Sequence, residues 1–133
     1  MPANTLSHID LSVSDLDRSE HWYAALLDAK RVLGGTNDVH QFAYRYLKTP
    51  GGLLLGLIQH AQPQETEFSP RRVGLDHLSF AVETVEELDR QQSHLDTLGI
   101  PHSGIVRQPT GDAIAFRDPD GIQLEFYWLA VRP

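Results

Sequence analysis

The chain has 133 residues, 41% of them hydrophobic, a formal net charge of −7 and no cysteine. That is enough apolar content for one packed domain, and the missing thiols exclude disulfides, thiolate nucleophiles and cysteinyl zinc sites. The absence of a basic cluster argues against nucleic acid or an anionic membrane as partner, and the longest apolar stretch, residues 53–58, is far too short to cross a bilayer.

The N-terminal residues 1–5 have no basic region leading into an apolar run, so no secretory signal is read and a cytoplasmic protein is expected. In residues 6–13, Ile9, Leu11 and Val13 alternate with His8, Asp10 and Ser12, the pattern of a half-buried strand with a polar second face. Ser14 and Asp15 can cap a helix whose apolar side holds Leu16, Trp22, Tyr23, Leu26 and Leu27 and which runs to about Asp28. Residues 30–33 read as a strand ended by Gly34 and Gly35. Residues 39–47, rich in aromatics, read as another strand, 49–52 as a turn and 53–58 as a fourth, very apolar strand.

Residues 60–73 hold two prolines, several Gln and Glu, and Arg71-Arg72, which reads as a polar linker. The order then repeats. A strand at 75–82 leads to a helix opened by Thr84 with Glu87 three residues on, a capping-box spacing, and stopped at Gly99. Strands follow near 103–107, 113–117 and 122–129, with the turn Asp118-Pro119-Asp120-Gly121 before the last. The predicted architecture is α+β, two βαβββ modules at about 5–59 and 74–130 joined by the linker.

The repeat is also visible residue by residue. Leu6-Ser7-His8-Ile9-Asp10-Leu11-Ser12-Val13 recurs as Leu75-Asp76-His77-Leu78-Ser79-Phe80-Ala81-Val82, 69 residues later. Self-similarity at half the chain length implies two equivalent supersecondary units, each with one His at the same point. In the last strand Ile122, Leu124 and Phe126 share one face and Gln123, Glu125 and Tyr127 the other. A carboxylate amid Leu and Phe is costly unless it meets a cavity, a partner or an ion. Two neutral imidazoles and one carboxylate form a known donor set for Fe(II), Mn(II) and similar ions, with positions left open for substrate or water. His8, His77 and Glu125 are therefore the candidate metal ligands. Gln123 and Tyr127 share the parity of Glu125 and are candidate substrate contacts. Asp10, His40, Tyr44 and Arg45 are further polar candidates. His21 and His94 fall on helices, and His60 and His102 flank loops.

His8-Ile9-x-Leu11-x-Val13, the helix segment Trp22-Tyr23-Ala24-Ala25-Leu26-Leu27, and Asp118-Pro119-Asp120-Gly121-Ile122-Gln123-Leu124-Glu125 together resemble the vicinal oxygen chelate superfamily. That group contains glyoxalase I, extradiol dioxygenases, fosfomycin-resistance enzymes, methylmalonyl-CoA epimerase and bleomycin-binding proteins. The resemblance covers essentially the whole chain. It implies paired βαβββ modules curled into a cup around one divalent metal (Fe, Mn, Zn, Ni or Co), with His8, His77 and Glu125 matching three ligand positions. It also implies a small-molecule substrate offering two adjacent oxygens, and a homodimer, with modules pairing within one chain or between two.

The family's fourth ligand position falls at Gly56, or at Leu55 if the turn aligns one residue differently; neither side chain can bind a metal. That departure points away from efficient glyoxalase I activity. The position matching the extradiol tyrosine is Ala115, and the fosfomycin enzymes' phosphonate-binding positions fall near Ile105, Ala113 and Ala115. Two functions follow as expectations: a metal-dependent lyase, isomerase, transferase or oxygenase, or a metal-free protein that binds a drug or metabolite. Three intact ligand positions favour the first.

Overall fold

A computed structural model describes residues 5–63 and 67–130. The chain divides into two compact units, one ending at residue 66 and the other beginning at residue 67. The first contains β1 (Ile9–Ser12), α1 (Leu16–Leu27), β2 (Lys30–Asn37), β3 (Phe42–Lys48) and β4 (Leu54–His60). Its sheet has the order β1-β4-β3-β2, with β1 parallel to β4 and the remaining pairs antiparallel. The second contains β5 (Leu78–Val82), α2 (Val85–Thr97), β6 (His102–Gln108), β7 (Gly111–Arg117) and β8 (Gln123–Leu129) in the matching order β5-β8-β7-β6, with β5 parallel to β8. Each unit is βαβββ and the class is α+β, as the repeat predicts. No helix among the described residues is long and apolar enough to cross a membrane.

Local chemistry accounts for the helix ends. The Asp15 carboxylate accepts the Arg18 amide at 3.0 Å and opens α1; Thr84 Oγ1 accepts the Glu87 amide at 3.0 Å and opens α2. Only half of the predicted capping box forms. The Glu87 carboxylate takes Arg90 and Gln91 instead, and the Arg90 bond, followed by that of Gln91, holds its pKa below the ordinary value. Helix α1 stops at Asp28 in the left-handed region (φ 51°), and α2 is followed by Gly99 at φ 70°.

One face of each sheet is covered by its helix. In the first unit Leu16, Tyr23 and Leu26 of α1 are buried, as are Leu11, Leu47, Leu55 and Leu57 of the sheet, and α1 packs on β3 and β4. In the second, Leu88 and Leu95 of α2 are buried, with Ile114, Phe116, Leu124 and Phe126 beneath. Strand periodicity leaves the alternate residues on the opposite face: Asp10, Tyr44, Tyr46 and Gly56 in the first unit, Gln123, Glu125 and Tyr127 in the second. That face is where the candidate chemistry sits.

The strands at the far edge of the first sheet differ from expectation. Gly34 and Gly35 do not end β2 but lie inside it, opposite Arg45 and Tyr44. The Tyr44 ring covers Gly35, where a Cβ would lie 2.9 Å from Tyr44 Oη. The glycine serves a close approach within the strand, not a stop. Strand β3 begins at Phe42, later than read, because residues 38–41 form a turn in which the His40 amide donates to Asn37 Oδ1 at 2.9 Å and Gln41 takes φ 57°.

On the covered face of the first unit, Arg45 of β3 reaches Asp17 Oδ1 at 2.6 Å and Glu20 Oε1 at 3.1 Å on α1. Glu20 also takes Arg31 of β2, whose Nη2 lies 2.5 Å from Oε1. The Arg31 bond, opposed by burial and helped by Arg45, holds the Glu20 carboxyl below the ordinary 4.5. A lowered folded pKa means that the stabilisation is present above the unfolded pKa and is lost as pH falls through the folded value. Replacing Glu20 by Gln is expected to cost about 1–2 kcal/mol near neutral pH. The gap between variant and parent should narrow steadily below about pH 4.5. Urea denaturation across that range measures it; a gap that stays constant on acidification would contradict the ion-pair account.

Candidate metal site

His77 and Glu125 meet in the second unit. His77 stands one residue before β5, not inside the strand as read from the sequence; the ladder with β8 begins at Leu78 opposite Leu124. Parallel pairing then sets Ser79 opposite Glu125. From its position ahead of the strand the His77 ring lies with Nε2 3.3 Å from Glu125 Oε1, while Nδ1 is 2.7 Å from Asp76 Oδ1. The Asp76 bond, with the charges of Glu125 and Asp76 behind it and burial opposing, raises the His77 pKa.

The phase of β8 decides that Glu125 faces this way. Asp118, 5% exposed, accepts the Asp120 and Ile122 amides on Oδ1 at 2.9 and 2.8 Å. Its own amide donates to the Ile122 carbonyl and its carbonyl accepts from Gly121, which sits at φ 83°. This tight turn launches β8 with Ile122, Leu124 and Phe126 buried and Gln123, Glu125 and Tyr127 on the other side, as the alternation predicts.

A cleft of about 720 Å³ opens beside the pair, lined in part by His77, Glu125, Gln123, Ala115 and Arg117. Gln123 lies opposite Arg117, and Ala115 opposite Glu125, in the β7–β8 ladder. Arg117 brings a positive charge that the sequence reading did not single out; its even spacing from Ala115 on β7 was the available signal. Tyr127 shares the face, but its hydroxyl is hydrogen-bonded to Thr110 Oγ1. At positions 113 and 115, where phosphonate-binding groups would stand, the same ladder holds two alanines.

In the first unit His8 repeats the arrangement. It too precedes its strand by one residue, with Nδ1 3.0 Å from Ser7 Oγ and Nε2 3.8 Å from Asp10 Oδ1. Its ring packs edge-on against Tyr46, the two centroids 5.7 Å apart, and Tyr46, Tyr44 and Phe42 continue the contact along the face. Tyr46 was missed in the sequence, although its two-residue spacing from Tyr44 put it on the same side. The Tyr46 hydroxyl donates to Asp10 Oδ2 at 3.0 Å; burial first, then that bond and the Asp10 charge, push its pKa up. The register Asp10↔Gly56 makes Gly56, not Leu55, the counterpart of Glu125, because Asp10 is the counterpart of Ser79.

Two other candidates fall away. Arg45 lies on the opposite, helix-covered face in its ion pairs with Asp17 and Glu20, because its parity is that of Leu47. His40 lies in the turn before β3. His21 and His94 are on helices as read. His60 ends β4 with its ring against Phe42, and His102 opens β6, with Nδ1 accepting the Gly104 amide and Nε2 bonded to Asp96 at 2.6 Å.

The structure thus brings together two of the three predicted ligands, His77 and Glu125. Among the described residues no group of three or more His, Asp or Glu side chains is gathered as a metal-holding cluster. The residues nonetheless suit a divalent ion. An imidazole whose Nδ1 is held by a carboxylate presents Nε2 as donor, and donors about 3 Å apart are the spacing set by bond lengths of about 2.0–2.2 Å.

Paired βαβββ units with an imidazole at matched positions and an acid on the final strand define a class of protein, and sequence comparison names it. Residues 5–126 match the model of the Glyoxalase/Bleomycin resistance protein/Dioxygenase superfamily, and the chain belongs to that superfamily. It is 31% identical over 130 residues to the uncharacterized protein YwkD of Bacillus subtilis (strain 168), covering 96% of this chain and 98% of that one. Among solved structures it is similar to a glyoxylase/bleomycin resistance protein/dioxygenase domain from Frankia sp. EAN1pec, at 36% identity and TM-score 0.88, covering 96% of this chain and 93% of that one. A mutant of the fosfomycin resistance protein FosX of Listeria monocytogenes, crystallised with Mn(II) and 1S,2S-dihydroxypropylphosphonic acid, shares the fold at 21% identity and TM-score 0.69, covering 95% and 93%.

Proposed function

We propose that the protein is a divalent-metal-dependent enzyme in which His8, His77 and Glu125 jointly bind one ion and the substrate is a small molecule with two adjacent oxygens. The observation that carries this reading is the His77–Glu125 pair, with Asp76 behind the imidazole and an open cleft in front. When bound, the ion supplies Lewis-acid polarisation of substrate oxygens. The chain's own contribution is positional. Asp76 fixes the His77 ring, Gln123 offers an amide to a substrate oxygen, and Arg117 offers a guanidinium in a cleft that Glu125 and Asp118 also line. The family resemblance favours a homodimer.

A metal-free binding protein is the second reading, favoured by the aromatic row Phe42, Tyr44 and Tyr46 beside His8. Metal content of protein purified without a His tag separates the two. The enzyme reading expects close to one divalent ion per chain, and turnover of a dicarbonyl, catechol or thiol adduct by the metal-loaded protein. Glu125→Gln should reduce that turnover by about 10²-fold or more. Tight binding of such compounds by protein that takes up no metal would establish the second reading instead.

A further inference from the structure

The two sheets match strand for strand but not in what their open faces carry. Register makes Gly56 the counterpart of Glu125, so Tyr46 answers to Ala115, Tyr44 to Ala113 and Phe42 to Gly111. The second unit builds the same sheet with glycine and alanine where the first has three aromatic rings. The fold itself therefore does not call for rings at these positions. Phe42, Tyr44 and Tyr46 are only half-buried, on the face of their sheet that α1 leaves uncovered. An aromatic row kept on such a face marks a place where something binds.

Glycines set how the rings lie. Tyr44 stands opposite Gly35 on β2 and its ring passes over that residue; Tyr46 stands opposite Gly56 on β4, where a Cβ would lie 2.7 Å from Tyr46 Cε1. The two side chains thus lean to opposite sides of β3. Their centroids are 5.9 Å apart with planes at 61°, and Phe42 meets Tyr44 edge-on at 6.1 Å. Neither pair is stacked in parallel, so ring faces remain for an incoming plane. Polar groups border the rings. Asp10 leans into the space that Gly56 leaves, where a Cβ would collide with its Oδ1. Its side chain is 38% exposed, accepts the Tyr46 hydroxyl on Oδ2, and meets no lysine or arginine among the described residues. A carboxylate has about four acceptor positions, so most of those on Asp10 stand open. The Tyr44 hydroxyl has no hydrogen-bond partner among the described residues.

We propose that this face of the first unit binds a planar aromatic ligand carrying an N–H or O–H donor, its ring packed against Tyr44 and Tyr46 and its donor on Asp10. Ring packing supplies affinity for the plane, and the carboxylate fixes its orientation. A saturated molecule of the same outline forfeits the first, and a molecule with its donor capped forfeits the second. The site lies wholly within one unit and needs no ion. It narrows the small molecule that both readings above leave open, whether substrate or bound metabolite, and is independent of how a metal is held.

The test uses 2-naphthol with the full chain in a chelating buffer, with affinity read by ligand-observed nuclear magnetic resonance and folding by circular dichroism. Two analogues divide the interaction: 2-methoxynaphthalene caps the donor, and decahydro-2-naphthol removes the plane. The parent is expected to prefer 2-naphthol to both and to move its ring protons upfield, the mark of tyrosine ring currents. Tyr44→Leu is expected to weaken 2-naphthol by about 3–10-fold, while Tyr44→Phe stays within about 2-fold. Asp10→Asn is expected to weaken 2-naphthol by about 10-fold and to leave 2-methoxynaphthalene unchanged, which a merely structural effect on the face would not do. No binding of 2-naphthol, equal affinity for the saturated analogue, or affinity untouched by Tyr44→Leu or by Asp10→Asn overturns the proposal. If Tyr44→Leu does not fold, the parent's preference among the three compounds and the upfield shift decide. A chain that holds a divalent ion but binds no 2-naphthol keeps the metal-dependent reading and loses only this site; one that binds 2-naphthol but takes up no ion does the reverse.

Discussion

If the modules pair between two chains, mixing two crippled chains is expected to rebuild metal sites that neither has alone. His8→Ala and Glu125→Ala should each lose Mn(II) affinity by at least about 10²-fold, because each deletes a donor and losses of 10–100-fold follow even from groups behind the donors. If the modules pair between chains of a two-fold dimer, His8 of one subunit joins His77 and Glu125 of the other. Random reassociation of an equal mixture then gives half mixed dimers, each with one intact and one doubly damaged site. About a quarter of all sites should bind at parental affinity. If the modules pair within the chain, every site keeps a lesion and mixing restores nothing. The 14-residue segment 60–73 allows either pairing. Titration of Mn(II) into the denatured and co-refolded mixture reads the fraction directly. Full parental affinity in either single variant would place the site elsewhere.

The second large effect is on stability. Leu57 is fully buried, pairs with Leu11 on β1 and Arg45 on β3, and is one of the largest completely enclosed side chains. Truncation to Ala removes three methylene-sized groups from a face sealed by α1, so a cost of about 3–5 kcal/mol is expected. Leu57→Met, which preserves volume, should cost less than about 1.5 kcal/mol. Val39, 85% exposed, provides the contrast: its replacement by Ala should change stability by no more than about 0.5 kcal/mol. Urea unfolding of the three variants orders them. A Leu57→Ala loss no larger than that of Val39→Ala would mean that this face is not the core of the unit.

Much of the fold was legible because it is written twice. The period of two in residues 6–13 and the cap residues Asp15 and Thr84 are local signals, and the structure follows them. What was misread depended on a neighbour distant in sequence. Gly34 and Gly35 look like a stop until Tyr44 is seen to lie over Gly35. Arg45 alternates with polar-face residues only if the strand is phased by Tyr44 on the wrong side; Leu47, fully buried, fixes the phase that the local pattern left open. The pairing of His77 with Glu125 was legible, because two copies of one motif and one acid amid apolar residues are rare. The relation of Asp10 to Gly56 was not. Aligning the two halves compares β1 with β5 and β4 with β8, whereas Asp10 and Gly56 stand on β1 and β4, which only pairing register joins.

The turn at Asp118 has a consequence that reaches beyond its own four residues. Its two side-chain hydrogen bonds fix where β8 begins, and every second residue thereafter inherits its side from that start. One residue more or fewer in the turn would send Leu124 or Phe126 toward the cleft and Glu125 into the apolar layer. The turn therefore behaves like the start of a reading frame: substitutions within it can be absorbed singly, but a change in its length garbles the whole message downstream. In descendants of this chain its length should be held fixed while loops elsewhere grow and shrink.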